Sequence, residues 1–479
     1  MPSPTFEFFV FFGVVLALNW LLKRWPFIWR LFLLLASWFF YSVFDFRFLL
    51  ILIGVSFFYF LSGGAIHKNF LGSRKLILTL SIIVNLSVLG VFKYYDFFRA
   101  SAEALLGEIG FSAGFPLLAI ILPVGLSFYI FRTISYNADI YLKKIEPSKS
   151  ILDFSIYVSF FPQLLAGPIA RAGDFLPQLK DGGAKKIENV YENFTLILLG
   201  LFKKVVISSY LVLNIVDDVY AVPGNHSSLV ILMAIIAYSL VIYFDFSGYT
   251  DMAVGFAGLM GFKSPINFNS PYLALNIKDF WRRWHISLSD WIRDYVYIPL
   301  GGNRKGMARK YFNLIIMMVL VGLWHGSANH YIVWGFIHGL GLAASHLYDG
   351  GKRLSVKKVP GLLDKAGKFS GKMLFWLLTF GFVSFSWIFF RSENTGSAVK
   401  MIEFLFNSNK SLEPVQLSVF YFLLAGFILF LFEKRIISGL VNFQKKVPLF
   451  VWPLFVILLM ILILKFSSDT VPNFIYFGF

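Results

Sequence analysis

Ser227-Ser-Leu-Val-Ile-Leu-Met-Ala-Ile-Ile-Ala-Tyr-Ser-Leu-Val-Ile-Tyr-Phe244 runs for eighteen residues without a charge and ends abruptly in Asp245-Phe-Ser-Gly-Tyr-Thr-Asp251. At 1.5 Å per residue, a helix of this length approaches the roughly 30 Å of a bilayer's hydrocarbon core. Apolar runs of similar kind recur from one end of the 479-residue chain to the other. They are continuous rather than alternating ten-residue strands, and lipid admits only helices or closed barrels. The expected fold is therefore all-α, a polytopic integral membrane protein. Composition agrees: 58% of residues are hydrophobic, 58 are phenylalanine, and 14% are charged, against about 25% charged in soluble domains.

The net charge is +17. The basic residues lie in short clusters between apolar runs, which fits cytoplasmic loops beside anionic lipid rather than a nucleic-acid surface. Cysteine is absent, which excludes disulfides and thiolate metal sites. Met1–Glu7 has no positive charge, and no small-residue cleavage site follows the first apolar run, so that run reads as a retained helix.

Charge sets the sidedness. Lys23, Arg24 and Arg30 follow the first run (about 5–22) and place the N-terminus outside. A second run leads out to the turn at Asp45–Arg47, and a third returns to His67, Lys68, Arg74 and Lys75. A fourth (about 76–92) exits to a loop of balanced charge. A fifth, from about Pro116, returns to Lys143, Lys144 and Lys149. Residues 151–170 are apolar but basic on both flanks and interrupted by Pro162, Gly167 and Pro168, so they read as a re-entrant segment buried in protein. The run from about 193 crosses to an outer loop with Asp217 and Asp218, and 227–244 returns. Residues 261–310 are basic and irregular and belong at the inner face. Residues 311–325 leave it, and 330–348 return to seven basic residues between Lys352 and Lys372. Spans near 373–390, 417–432 and 449–466 complete about eleven, with Lys434, Arg435, Lys445 and Lys446 at the turn between the last two.

Three polar clusters fall where lipid is expected, and intramembrane polar groups are functional candidates by default. Asp245–Asp251 is either a broken helix or a cytoplasmic turn in which Ser247 or Asp251 caps the next helix. In Asn276–Trp291, Asn276 and Asp279 resemble a capping box at a helix start. From there Trp281, Trp284, Leu288, Trp291 and Tyr295 form an apolar stripe, and Arg282, His285, Ser289 and Arg293 a polar one. Such a helix would lie at the headgroups with its tryptophans as anchors, and a plain surface helix with His285 facing water is the competing reading. In Gly322-Leu-Trp-His-Gly-Ser-Ala-Asn-His330, the preceding run of about fifteen residues is too short to reach the far surface, which leaves His325 inside the membrane. Histidine is the usual general base near neutral pH; a structural histidine bonded to a backbone carbonyl is the alternative. His338 and His346 lie eight apart, no metal-ligand spacing, and read as packing or hydrogen-bonding residues. No phosphate loop, zinc-protease motif, nucleophile elbow or Arg-rich voltage-sensing helix is present.

Taken together, the motifs resemble the membrane-bound O-acyltransferase family in its bacterial alginate O-acetyltransferase branch. They are Leu122-Pro-Val-Gly-Leu-Ser-Phe-Tyr129, Phe161-Pro-Gln-Leu-Leu-Ala-Gly-Pro-Ile169, Asp245-Phe-Ser-Gly-Tyr-Thr-Asp-Met-Ala253, Phe280-Trp-Arg-Arg-Trp-His-Ile-Ser-Leu288, Tyr297-Ile-Pro-Leu-Gly-Gly-Asn-Arg304 and Leu323-Trp-His-Gly326. The resemblance implies N-terminal helices over 1–114, a catalytic core over 115–348 around a tunnel, and C-terminal helices over 349–479. It implies that His325 is catalytic and His285 its companion. Arg282, Arg283 and Arg304 are then candidates to hold donor phosphates, with Asp245, Trp324 and His338 as further substrate-contact candidates. The implied reaction uses no bound cofactor and no metal. It moves an acyl group, most simply from acetyl-CoA, to hydroxyls of an exported polysaccharide, as in alginate biosynthesis, directly or through a periplasmic or extracellular acetyltransferase partner. The implied place is the bacterial inner membrane. A D-alanyl transferase of the teichoic acid pathway is the neighbouring alternative; those chains usually end soon after the histidine helices, whereas this one continues. A transporter would also explain broken helices, but no internal repeat is evident.

Overall fold

The computed structural model describes residues 5–479 apart from 112–113, 115, 117–120, 185, 355–362, 413, 449–450, 452–460, 462–464, 466–471, 473 and 476–479; for 181, 349–354 and 363–370 it describes the helical backbone only. Among the described residues the regular secondary structure is entirely helical. In chain order the helices are α1 (Phe6–Leu22), α2 (Pro26–Ser42), α3 (Phe46–Lys68), α4 (Arg74–Glu108), α5 (Leu126–Tyr141), α6 (Ile151–Ser159), α7 (Val190–Ala221) and α8 (Ser228–Leu259). After these come α9 (Ile277–Arg283), α10 (Ile286–Ile292), α11 (Met307–His325), α12 (Asn329–Leu354), α13 (Leu363–Arg391), α14 (Thr395–Asn407) and α15 (Leu417–Lys446).

Seven helices are long and apolar enough to cross a membrane: α3, α4, α7, α8, α11, the Gly371–Arg391 part of α13, and α15. α1 and α2 are apolar but shorter. Among the described residues this stands against the eleven or so spans expected, and the span expected at 449–466 falls almost wholly outside those residues. Several expected boundaries move. α4 continues through a π-helical turn at Gly90–Tyr94, where a loop was expected after residue 92. α15 runs on through Lys434 and Arg435 to Lys446, so those charges extend a helix rather than mark a turn. α11 has 19 residues, or about 28 Å, because it begins four residues before the apolar run does. Shortness therefore does not hold His325 inside the membrane.

Packing divides the chain into two compact units: Met1–Ile197 with Thr250–Pro265, and Leu198–Tyr249 with Ile266–Phe479. In the first, the segment expected to be re-entrant consists of α6, nine residues long, and a four-residue helix at Phe161–Leu164. Neither is long enough to cross a bilayer, and residues 154–170 are all buried. Breaking a helix leaves carbonyls without partners. Here the buried Arg132 of α5 takes them, donating to the carbonyl oxygens of Tyr157 (3.1 Å) and Gln163 (3.0 Å). Polar side chains join α3, α4 and α5: Asn137 donates to Ser62 (2.7 Å) and Ser81 (3.1 Å), and Asn85 to Thr133 (2.9 Å). Such bonds act between membrane helices where apolar burial gives little preference over lipid.

The second unit carries both candidate histidines. Its α8 corrects the sequence reading of Asp245–Asp251, because one 32-residue helix passes straight through that stretch, neither broken nor turned. Gly248 serves close packing instead: a Cβ there would lie 2.6 Å from the carbonyl oxygen of Gly200 and 3.2 Å from Lys203 Cβ. Facing α8, α7 contains π-helical turns at Phe202–Ser208 and Val212–Val216. The first presents two consecutive buried lysines to carboxylates: Lys203 pairs with the partly buried Glu433 of α15, and Lys204 with the buried Asp245 of α8. Glu433 also accepts from the Tyr243 hydroxyl at 2.6 Å.

Candidate active site

His325 is the last residue of α11 and is 3% exposed. Aromatic rings enclose it. Trp324 lies at 4.7 Å between ring centroids, Trp334 of α12 at 5.0 Å and perpendicular, and Phe390 of α13 at 5.0 Å. Its neighbour His330 meets a backbone carbonyl, with its Nδ1 2.8 Å from the Phe389 oxygen.

His285 reaches the same cluster by a route that periodicity did not disclose. Asn276 does cap a helix, accepting from the Asp279 N–H at 2.8 Å, but the helix stops at Arg283. Trp284 is extended and His285 takes left-handed geometry (φ 43°, ψ 55°) before α10 begins. That backbone is costly for a residue with a Cβ, about 1–3 kcal/mol, and persists where surroundings over-determine it. Here residues 267–269 do so: Asn269 N–H donates to the Arg283 carbonyl (3.0 Å), Ile286 N–H to the Asn267 carbonyl (2.9 Å), and the Ser287 hydroxyl to Asn267 Oδ1 (2.6 Å). The kink turns His285 inward to 0% exposure, against Phe246 (4.7 Å) and near Trp324 (6.2 Å). The Trp324 ring thus contacts both histidines. Burial pushes the His285 pKa down, to about 3, against a smaller upward pull from a backbone hydrogen bond. The single amphipathic surface helix is overturned, and so is the headgroup role of its tryptophans, since Trp281, Trp284 and Trp291 are buried in protein.

The other candidates separate. His338 is fully buried behind Trp334 (4.8 Å). Trp281 Nε1–H donates to its Nδ1 at 3.2 Å, so the proton of the neutral ring sits on Nε2, which donates to Ser386 Oγ at 2.8 Å. The Ser386 hydroxyl in turn donates to the Val383 carbonyl at 2.7 Å. Asp245 is committed to Lys204 and accepts the Ile475 N–H at 2.8 Å. Arg283 bonds Asp279 at 2.9 Å, while Arg282 and Arg304 lie at the surface.

Two cavities have wall residues near His325, which itself lines neither. One, of about 300 Å³, is apolar along Trp281, Met318 and Val321 and carries Arg293, Asn303 and Lys310. Val321 stands one helical turn before His325. The other, of about 270 Å³, is walled by Phe390, the ring against His325, and by Tyr331, Asp245, Asp217 and Arg391; the last two form an ion pair at 2.6 Å. Pro472 and Ile475 also line it. Beside them the buried Phe474 stacks on Tyr249 (4.7 Å) and lies 5.9 Å from Phe246, the ring that touches His285. Sequence reading missed Asn267, the Lys203 and Lys204 pairs, and Pro472, Phe474 and Ile475. Of these only the paired lysines inside an apolar run carried a signal. Among the described residues no group of three or more His, Asp or Glu could hold a metal ion.

Comparison with known proteins shows the family. The chain is 37% identical to a peptidoglycan O-acetyltransferase of Helicobacter pylori over 403 residues, 78% of this chain and 73% of that one. It is 39% identical to a probable alginate O-acetylase of Pseudomonas aeruginosa over 380 residues, 79% of this chain and 70% of that one. A teichoic acid D-alanyltransferase of Bacillus subtilis is 32% identical over 243 residues, 47% of this chain and 59% of that one. The sequence profile of the membrane-bound O-acyltransferase family matches residues 31–388, and the chain, a multi-pass membrane acyltransferase, belongs to that family.

Proposed function

We propose that this enzyme moves an acetyl group from a cytoplasmic thioester, acetyl-CoA, across the inner membrane to hydroxyls of an exported polysaccharide, directly or through an acetyltransferase partner outside the membrane. The observation that carries the reading is the position of His325, buried among aromatic rings, with Phe390 of one cavity's wall against it and Val321 of another's one helical turn before it. The cavity with Arg293 and Lys310 suits a donor whose phosphates stay at a basic mouth while its arm enters an apolar slot. Arg282, Arg283 and Arg304, in the same basic stretch of chain, add to the attraction there. The cavity with Asp217, Tyr331 and Arg391 suits a hydroxyl-bearing acceptor. The positive-inside pattern favours the first at the cytoplasmic face, the second outside, and the N-terminus outside.

In this scheme His325 accepts the proton of the acceptor hydroxyl as its oxygen attacks the thioester carbonyl. The C–S bond breaks, and the departing thiolate takes that proton from His325. His285, buried and neutral, orients the donor from across the Trp324 ring. Holding both substrates in a dry passage supplies proximity and keeps water from the thioester. The O-acetyltransferase relatives match along most of the chain and the D-alanyltransferase along less than half, which favours acetyl as the group carried.

The test is acetyl transfer from radiolabelled acetyl-CoA in proteoliposomes, with oligosaccharide acceptors and a membrane extract on the outer side. His325→Ala, folded and inserted, loses transfer by about 10³-fold or more if it is the base and its loss also opens the site. Undiminished transfer by that variant would end the assignment. Transfer from D-alanyl carrier protein and not from acetyl-CoA would move the enzyme to the D-alanyl reading.

A further inference from the structure

A third cavity, of about 700 Å³, shares no lining residue with the two beside His325 and lies between α12 and α13. On α12 its wall is Gly341, Ala344, Ser345 and Tyr348, spaced i, i+3, i+4 and i+7 on one helical face. Three of the four are small, so the face recedes and leaves a slot. The inner end is closed where Phe382 and Ile277 meet Gly341, at which a Cβ would lie 2.7 Å from the Phe382 ring and 3.3 Å from Ile277. The other end opens beside Tyr348 and Lys372, both exposed. The surface next to it is apolar and uncovered: Leu374, Leu377 and Leu378 of the membrane-crossing part of α13 are 55%, 52% and 58% exposed.

An apolar slot open toward lipid fills with lipid, and the charge at its mouth decides which. Lys372 is the one charged residue among those lining the cavity. Basic pockets between membrane helices select anionic headgroups, and the volume falls within the range of pockets that enclose one bound molecule. We propose that this groove is a binding site for an anionic phospholipid of the surrounding bilayer, with an acyl chain along Gly341, Ala344 and Phe382 and the phosphate at Lys372. The site reaches the active region at one point: Phe382 stands edge-on to His338 at 5.6 Å, and His338 backs Trp334. The lipid thus supports the wall behind His325 without entering the reaction.

The full chain in phosphatidylcholine nanodiscs, given a photoactivatable phosphatidylglycerol, tests this without an activity readout. Crosslinks are expected on peptides covering 341–348 and 371–382. Unlabelled phosphatidylglycerol should displace them about tenfold better than phosphatidylcholine, and Lys372→Glu, an exposed substitution that leaves the core untouched, should lower them about fivefold. Crosslinks elsewhere, equal competition by phosphatidylcholine, or an unchanged yield in Lys372→Glu would overturn the site. Displacement by acetyl-CoA would also overturn it, by making the groove part of the donor path.

Discussion

Gly248 gives two readings of the same stretch opposite signs. If the glycine only loosened a helix or made a turn at Asp245–Asp251, alanine would strengthen α8 by up to about 1 kcal/mol, the difference between the two residues in a helix interior. In the structure that Cβ would sit 2.6 Å from a backbone oxygen, against 3.4 Å for ordinary contact. About 0.8 Å of separation is therefore needed. The opposing atoms are the backbone of Gly200 and the Cβ of Lys203, so no flexible side-chain end can give way. Overpacking of this kind costs about 1–3 kcal/mol, and the displacement would fall between Lys204 and Asp245, a buried pair whose geometry has little slack. Gly248→Ala is expected to lower stability by a net 1–2 kcal/mol or so. Gly381→Ala is the matched control: it lies in α13 with nothing within 4 Å of its Cβ, and should be neutral or slightly stabilising. Thermal unfolding of both variants in one detergent reads the difference. Gly248→Ala as stable as Gly381→Ala would refute the packing argument.

Asn267→Ala removes the acceptor that holds Ser287 and with it part of the clamp on the His285 backbone. Stability should fall by about 1–2 kcal/mol and transfer by about 10–100-fold, with donor binding unchanged in a CoA-analogue titration; wild-type turnover would show that the clamp is dispensable. His338→Leu strands the Trp281 N–H and the Ser386 hydroxyl. It is expected to cost about 2–4 kcal/mol in thermal unfolding while leaving the KM values of both substrates in place, and a raised KM at full stability would make it a substrate contact. The native state holds His285 neutral down to about pH 3, whereas the unfolded chain takes up that proton near pH 6.5. Its contribution is therefore complete above pH 6.5 and lost as pH falls toward 3, by about 2 kcal/mol at pH 5. Wild type should lose that much more stability than His285→Gln between pH 7.5 and 5, and equal losses would contradict the buried, neutral imidazole.

Sequence carried the helical class, most of the long apolar helices and the two histidines, because each leaves a local trace: uncharged length, a cap at Asn276, a Trp-His-Gly at a helix end. It misled where local composition and tertiary contact disagree. A glycine between two aspartates suggests a break, yet Gly248 sits inside a continuous helix because another backbone comes close. The 3.6-residue stripe from Trp281 to Tyr295 is real as spacing, but tertiary hydrogen bonds from Asn267 and Asn269 fold it at Trp284 and His285. Nothing in the pattern of 261–290 encodes those partners. The lysines of α7 show the same limit: an apolar run containing Lys203 and Lys204 announces that partners exist, but their identity depends on helices 41 and 230 residues away.

That last separation bears on how the protein is made. A lysine unpaired at mid-membrane costs about 2.5–3.5 kcal/mol on insertion scales. Lys204 meets Asp245 soon after α7 leaves the ribosome, but the carboxylate for Lys203 arrives 230 residues later, some 10–50 s at ordinary synthesis rates of about 5–20 residues per second. Through that interval α7 has to wait at the insertion machinery, or lie shallow with its lysine near the headgroups. The last helix of the described residues thus supplies the earliest missing charge, and nascent chains halted before Glu433 should be marked for proteolysis even though every motif quoted above has already been made.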